Sequence, residues 1–319
     1  MRKFPASLAV LGLVAVGLVG CSLPGAQTCP RPAADPTVTD LVTVSGSTDE
    51  APEVELYTPF AATDTAFADD VTGEGTPITD DGQLVVLDVS VVSGTTGETL
   101  VASGYDGDLS RVFPVSRWVE IFPAFDDALH CATEGSRIVV ALAPGDVESE
   151  TAASLGLAED ESAVAVVDLR KVYLPKADGA NQYNVGTGLP TVVRAPDGRP
   201  GVLVPDAAPP TDLVVQTIKK GTGPVVTGEE PVRVHYTGVV WDDKTVFETT
   251  WGDAPQSLAF DAMIPGLAEA LQGQTVGSQV MVVVPPDQGY GDQEQAAIPA
   301  NSTLVFVIDI LGVDQPAPQ

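Results

Sequence analysis

The amino-acid sequence predicts an α+β protein made of two copies of one domain, each a curved antiparallel β-sheet wrapped around one short α-helix. Three observations predict it. Residues 121–129 match residues 263–271, and the match continues without a gap from 135–140 to 277–282, at a constant offset of 142. Upstream, Pro52, Val54, Leu84 and Val86 pair with Pro200, Val202, Val232 and Val234 at an offset of 148. A period this long is that of a whole domain, since solenoid units run roughly 20–50 residues. Second, residues 232–240, 279–284 and 303–311 are rich in β-branched and aromatic side chains, which favours strands. The last of these is almost continuously apolar, as a central strand covered on both faces would be. Turn-forming residues at 221–224, 242–244 and 285–287 separate them. Third, one short helix is legible. Pro265 suits its first position, Leu267, Ala270 and Leu271 share a face, and Gly273 can end it in a left-handed conformation. A sheet with a single two-turn helix available buries its face by curling around that helix.

Taken in chain order, residues 1–20 read as a signal peptide. Arg2 and Lys3 precede an apolar run from 8 to 19, shorter than the roughly 20 residues that span a bilayer. The run ends at Leu18-Val19-Gly20-Cys21, which resembles the bacterial lipobox. That resemblance implies lipid on Cys21 and a location in the cell envelope, on the outer face of the cytoplasmic membrane. Residues 21–35 read as a flexible tether, 36–176 as the first copy, 177–189 as a linker, 190–313 as the second copy and 314–319 as a frayed tail. Two cysteines remain, Cys29 before the first copy and Cys131 after its helix, where the second copy has Gly273. An extracytoplasmic chain permits them to pair, and a disulfide pinning the tether to the first copy is expected. His130 beside Cys131 offers too few ligands for a metal site. No metal and no cofactor is expected.

The chain carries 44 acidic against 15 basic side chains. Residues 36–176 hold 26 and 6 of them, residues 190–313 hold 15 and 6. Such a surface repels nucleic acid and anionic headgroups, so nucleic acid is excluded as a partner and membrane contact is left to the lipid on Cys21. A monomer is expected.

Six motifs of the second copy stand in a fixed order: residues 235–238 (His235, Tyr236, Thr237, Gly238), Phe247 with Glu248, residues 263–267, residues 289–291 with Tyr290, Ile298 with Pro299, and residues 303–306 ending in Phe306. Over residues 212–313 this order and spacing resemble the FKBP-type peptidyl-prolyl cis-trans isomerases. The resemblance implies two FKBP-like domains, the first degenerate. It implies a shallow aromatic pocket between sheet and helix, with Tyr236, Phe247 and Phe306 as walls and Leu267 as floor. Met263, Ile264 and Ile298 fall where the family binds substrate, the Ile264 N–H facing a substrate carbonyl and the Tyr290 hydroxyl bonding another. Three departures stand out: Glu248, whose arm is one methylene longer than that of the usual aspartate and is not expected to hold the same bond to Tyr236; Gln256 in place of a pocket-edge phenylalanine; and a loop from 292 to 297 that is one residue short. His235 alternates away from Tyr236 and reads as structural.

The first copy lacks these groups. By the offset of 148, Asp88 stands in place of Tyr236; Leu100 replaces Phe247 and Ala165 replaces Phe306. The loop from 145 to 150 contains no Tyr-Gly pair. Phe122 and Phe125 stand for Ile264 and Leu267 and keep apolar bulk under the sheet.

Rotation about an X-Pro bond faces a barrier of about 18–20 kcal/mol and takes tens of seconds or longer unaided. It requires no nucleophile, so a pocket of tyrosine, phenylalanine and leucine is suited to it. The expected function is isomerisation of X-Pro bonds in exported polypeptides, with proline-containing chains as partners and Tyr236, Phe247, Glu248, Tyr290 and Phe306 as the catalytic set. The alternative is a binding module or holdase that grips proline segments without accelerating rotation.

Overall fold

The computed structural model describes residues 29–183 and 186–315. The expected signal peptide, Cys21 and most of the tether therefore lie outside the described residues. No helix among the described residues is long and apolar enough to cross a membrane.

The first half opens with a short helix, α1 (Thr37–Leu41), and a hairpin of β1 (Val42–Ser45) and β2 (Glu53–Leu56). A sheet follows, made of β3 (Ala66–Val71), β4 (Leu84–Ser93), β5 (Thr99–Ala102), β6 (Phe113–Pro114), β7 (Arg137–Leu142) and β8 (Ala163–Val172). Its order is β3-β7-β8-β4-β5, all antiparallel, with β6 also on β4. Three helices accompany it: α2 (Val115–Ile121), α3 (Phe125–Leu129) and α4 (Ser149–Leu155).

The second half begins with the two-residue strand β9 (Ala180–Asn181) and the hairpin β10 (Thr191–Arg194) and β11 (Pro200–Leu203). Its sheet contains β12 (Val214–Lys220), β13 (Val232–Val240), β14 (Val246–Thr249), β15 (Gln256–Leu258), β16 (Gln279–Val284) and β17 (Leu304–Val313), with one α-helix, α5 (Pro265–Leu271). The order β14-β13-β17-β16-β12-β9 repeats that of the first sheet and adds β9 at the edge. Three bulges recur at equivalent places, among them Asp69/Val71 against Thr217/Lys219 and Val86/Leu87 against Arg233/Val234.

Pairing registers test the repeat residue by residue. Val44 faces Val54 as Val192 faces Val202, so the offset of 148 holds in the hairpins. In the long strands it fails by one. Val85 pairs with Val172 and Val232 with Val313, which makes the offset between β4 and β13 147. The bridges Pro77 to Thr133 and Val225 to Thr275 still obey 148, so the lost residue lies in the loop before β13. A shift of one residue turns a side chain to the other face of a sheet. Tyr236 therefore corresponds to Val89, and Asp88 corresponds to His235. The expectation that Asp88 replaces Tyr236 is corrected: Asp88 lies on the far face, 3.5 Å from the Arg170 guanidinium.

Each sheet is buried on both faces. On the concave side of the second, α5 packs Leu267, Ala270 and Leu271 against Val234, Val280, Val282 and Ile308. On the convex side, the hairpin covers Val239, Met281, Val283, Val305 and Val307 with Val192, Val202 and Val204. The first half repeats this with Val44, Val54 and Leu56 over Val139, Ala141 and Val164. Two covered faces explain why β17 reads as an unbroken apolar run rather than an alternating one.

Other expectations are corrected. The described part of the tether is docked: Arg31 pairs with Asp69 and donates to the Ala128 and His130 carbonyls, and Asp35 N–H bonds Phe67 O. The linker is built into the second sheet from its first residues. Ala177 N–H donates to Asp309 at 2.8 Å, Lys219 donates to Ala177 O at 2.6 Å, and β9 pairs with Lys219 and Lys220. A Cβ on Gly179 would fall 2.4 Å from the Lys220 backbone, so this close approach requires glycine. Among the described residues, one short α-helix per copy holds for the second half only. In the first, α4 occupies the loop without Tyr-Gly, its N–H groups at Glu150 and Thr151 capped by Glu148 and its end turned by Gly156 at φ +77°.

Candidate active site

The site grows out of β13, β14, β17 and the start of α5. Bulges aside, every second residue of β13 faces the helix, which places Val232, Val234, Tyr236 and Val240 in the concave core. Phe306 on β17 lies opposite Gly238 on β13 and Val282 on β16. The absent side chain at Gly238 makes room for the Phe247 ring, since a Cβ there would meet Cζ of Phe247 at 2.3 Å. Phe247 thus tilts edge-on to Phe306, with ring centres 5.5 Å apart and planes at 83°. Tyr236 stands 6.4 Å from Phe306 on the other side.

Beneath these rings lie Leu267 of α5 and Ile298, both buried; Met263 and Ile264 pack partly exposed at the helix entrance. Ile264 is the N-terminal flank of α5, its carbonyl accepting from Leu267 at 3.0 Å and Ala268 at 3.2 Å. Pro265 follows at the first helical position, where its missing N–H leaves no bond unmade. Tyr290 lies within the turn that follows residues 286–288 and is 37% exposed, so its ring is available at the rim.

Polar groups gather at one edge. The Tyr236 hydroxyl donates to Gln256 Oε1 at 3.3 Å, with the Glu248 carboxylate beside it. Burial pushes the Tyr236 phenol up, and Glu248 and then Tyr290 push it further. It remains a neutral donor. Gln256, which the motif comparison offered only as a departure from a pocket-edge phenylalanine, thus accepts from Tyr236 alongside Glu248. On the other face of β13, His235 stacks on Trp251 at 4.6 Å and its Nδ1 meets Thr250 Oγ1 at 2.9 Å. Burial lowers its pKa to about 4, and it contributes nothing to the pocket.

The equivalent place in the first half is filled differently. Val89, Leu100 and Ala165 replace the three rings, and Phe122 stacks on Phe125 at 4.7 Å at the junction of α2 and α3. Cys29 is joined to Cys131, with Cα atoms 5.5 Å apart. His130 lies with them inside 4.8 Å, three ligand atoms where the sequence suggested two, but the sulfurs are bonded to each other.

Residues 223–311 match the family of FKBP-type peptidyl-prolyl cis-trans isomerases. The FK506-binding protein of Streptomyces anulatus is 32% identical over 120 residues, covering 36% of this chain and 97% of the relative. The probable FK506-binding protein of Corynebacterium glutamicum is 31% identical over 115 residues, covering 35% of this chain and 97% of the relative. The FKBP-type peptidyl-prolyl cis-trans isomerase FkpA of Escherichia coli K12 is 36% identical over 109 residues, 34% of this chain; the match spans only 40% of FkpA's own length. With two relatives covered almost end to end and the pocket residues gathered between sheet and helix, this chain belongs to the FKBP-type peptidyl-prolyl cis-trans isomerase family.

Proposed function

We propose that the protein is a peptidyl-prolyl cis-trans isomerase acting on X-Pro bonds of exported proteins during folding. Its two halves are read as FKBP-like domains, residues 36–176 without activity and residues 190–313 catalytic. The observation that carries this reading is the convergence of Tyr236, Phe247 and Phe306 over Leu267 and Ile298. Such a hollow accepts a proline ring and strips water from the amide before it. Water favours the planar, charge-separated amide, so its exclusion favours the twisted form by comparison. The Ile264 N–H and the Tyr290 hydroxyl add to the rate only in so far as they hold the twisted geometry more strongly than the planar one. No acid, base or nucleophile is called for. Met263 lines the entrance, and Glu248 holds the polar edge with Tyr236.

The setting proposed is the cell envelope, with the chain held by lipid on Cys21, acting as a monomer. The anchor and the setting rest on the N-terminal sequence. A protease-coupled assay of a proline tetrapeptide with the full chain tests the activity. Faster exchange than buffer is expected. A rate equal to buffer, with the peptide still bound, would favour a holdase.

A further inference from the structure

Tyr173 belongs to the first half by its backbone. It follows β8, its N–H donates to Leu84 O at 2.9 Å, and its carbonyl accepts from Gln83 Nε2 at 2.8 Å. Its side chain belongs to the second half. The ring, 1% exposed, lies on Gly312, where a Cβ would come within 2.5 Å of ring atom Cδ1. The Arg233 guanidinium sits 5.5 Å from the ring centre. The hydroxyl donates to Asp314 Oδ1 at 2.7 Å.

Asp314, assigned to the frayed tail by sequence, is instead 8% exposed and bonded on both oxygens. Arg233 donates to it through Nε at 3.2 Å and Nη2 at 2.7 Å, and the Ser257 hydroxyl donates to Oδ2. Arg233 Nη1 also reaches Pro255 O at 3.4 Å. Pro255 and Ser257 flank Gln256, whose side chain accepts from the Tyr236 hydroxyl. An unbroken set of contacts therefore runs from the first half through Tyr173, Asp314 and β15 to the pocket edge. Hydrogen bonds to a buried carboxylate are stronger than neutral ones, so this path resists deformation.

We propose that Tyr173 and Asp314 are positioning residues of the pocket, by which the first half fixes β15 and the Gln256 acceptor of Tyr236. The proposal rests on the isomerase reading for its functional meaning. It gives the first half a task that needs no pocket of its own: it sets how well substrate is held without touching it.

The test uses the full chain and four proteins: wild type, Tyr173→Phe, Ser257→Ala and the double variant. Each substitution removes one hydroxyl and keeps the packing. Either one is expected to raise KM about threefold to tenfold with kcat unchanged, as loss of a bond to a charged group would. The double variant is expected to match the single ones, because both cut the same path. The side-chain amide resonances of Gln256 are expected to move in all three. Lys219→Met, which cuts the contact of Ala177 in the linker with the second sheet but leaves β15 alone, is expected to leave KM and these resonances unchanged. Unchanged KM in both single variants, effects that simply add, or a fixed Gln256 signal would overturn the proposal. Should wild type itself not accelerate exchange, the isomerase reading fails, and the Gln256 resonances still decide whether the path exists.

Discussion

The Tyr236 hydroxyl donates to the Gln256 side-chain carbonyl at 3.3 Å, although the carboxylate of Glu248 stands beside it. The pocket edge is therefore shared by two polar residues. Gln256→Phe, which restores the family's usual residue, is expected to return Tyr236 to Glu248 alone. Comparing kcat/KM across peptides that differ before proline checks this: the variant should gain for apolar residues at that position and lose for polar ones, each by about threefold to tenfold.

Phe306 is 4% exposed and touches both other rings of the pocket. Phe306→Leu keeps apolar bulk but removes the edge contacts. It is expected to lower kcat/KM about tenfold while costing about 1–1.5 kcal/mol of stability, measured by urea unfolding.

Gly238→Ala sets a methyl 2.3 Å from the Phe247 ring, which must turn away. We expect a loss of about 1–3 kcal/mol in stability together with most of the activity. Gly238→Ala combined with Phe247→Ala should recover the stability lost to the clash and none of the activity, because the wall is then gone.

His235 is buried with its pKa lowered to about 4, against about 6.5 in an unfolded chain. Between those values the unfolded state binds the extra proton. The contribution of the neutral ring is therefore complete above pH 6.5 and lost as pH falls toward 4, on the order of 3 kcal/mol in all. Unfolding midpoints measured from pH 7 to pH 4 should show this fall, and His235→Gln should flatten it.

The Cys29–Cys131 bond spans 102 residues. Opening it by Cys131→Ser is expected to cost about 2–4 kcal/mol, read from denaturation with and without reductant. Fragments test the role of the linker in the same way. One starting at residue 177 keeps β9 and the Ala177–Asp309 bond, and it should melt above one starting at 190.

Much of the fold was legible because its signals are local. Pro265 and Gly273 bracket α5, and turn residues bracket β13 and β16. The register between the copies was not. Leu84, Val85, Val86 and Leu87 are all apolar because β4 is covered on both faces, so a slip of one leaves the pattern unchanged. Strand pairing, such as Val85 with Val172 against Val232 with Val313, distinguishes 147 from 148. The helix α4 escaped notice because two turns carry little periodicity, though Glu148 and Gly156 marked its ends. Asp314 sits in a stretch of Gln, Pro and Ala that reads as a tail; its partners Tyr173, Arg233 and Ser257 are distant in sequence. For the pocket, motif order located the rings, whereas the Gln256 bond needed three dimensions.

We attribute activity to the second half, where Tyr236, Phe247 and Phe306 converge over Leu267 and Ile298 and where the first half has Val89, Leu100 and Ala165 in place of the rings. Proline-peptide exchange measured with the full chain, with Tyr290→Phe and with Leu100→Ala discriminates between the two halves. Acceleration by the wild type is expected, with a rate lowered about tenfold by the loss of one hydrogen bond in Tyr290→Phe and no change in Leu100→Ala. A rate that falls with Leu100→Ala and survives Tyr290→Phe would contradict it.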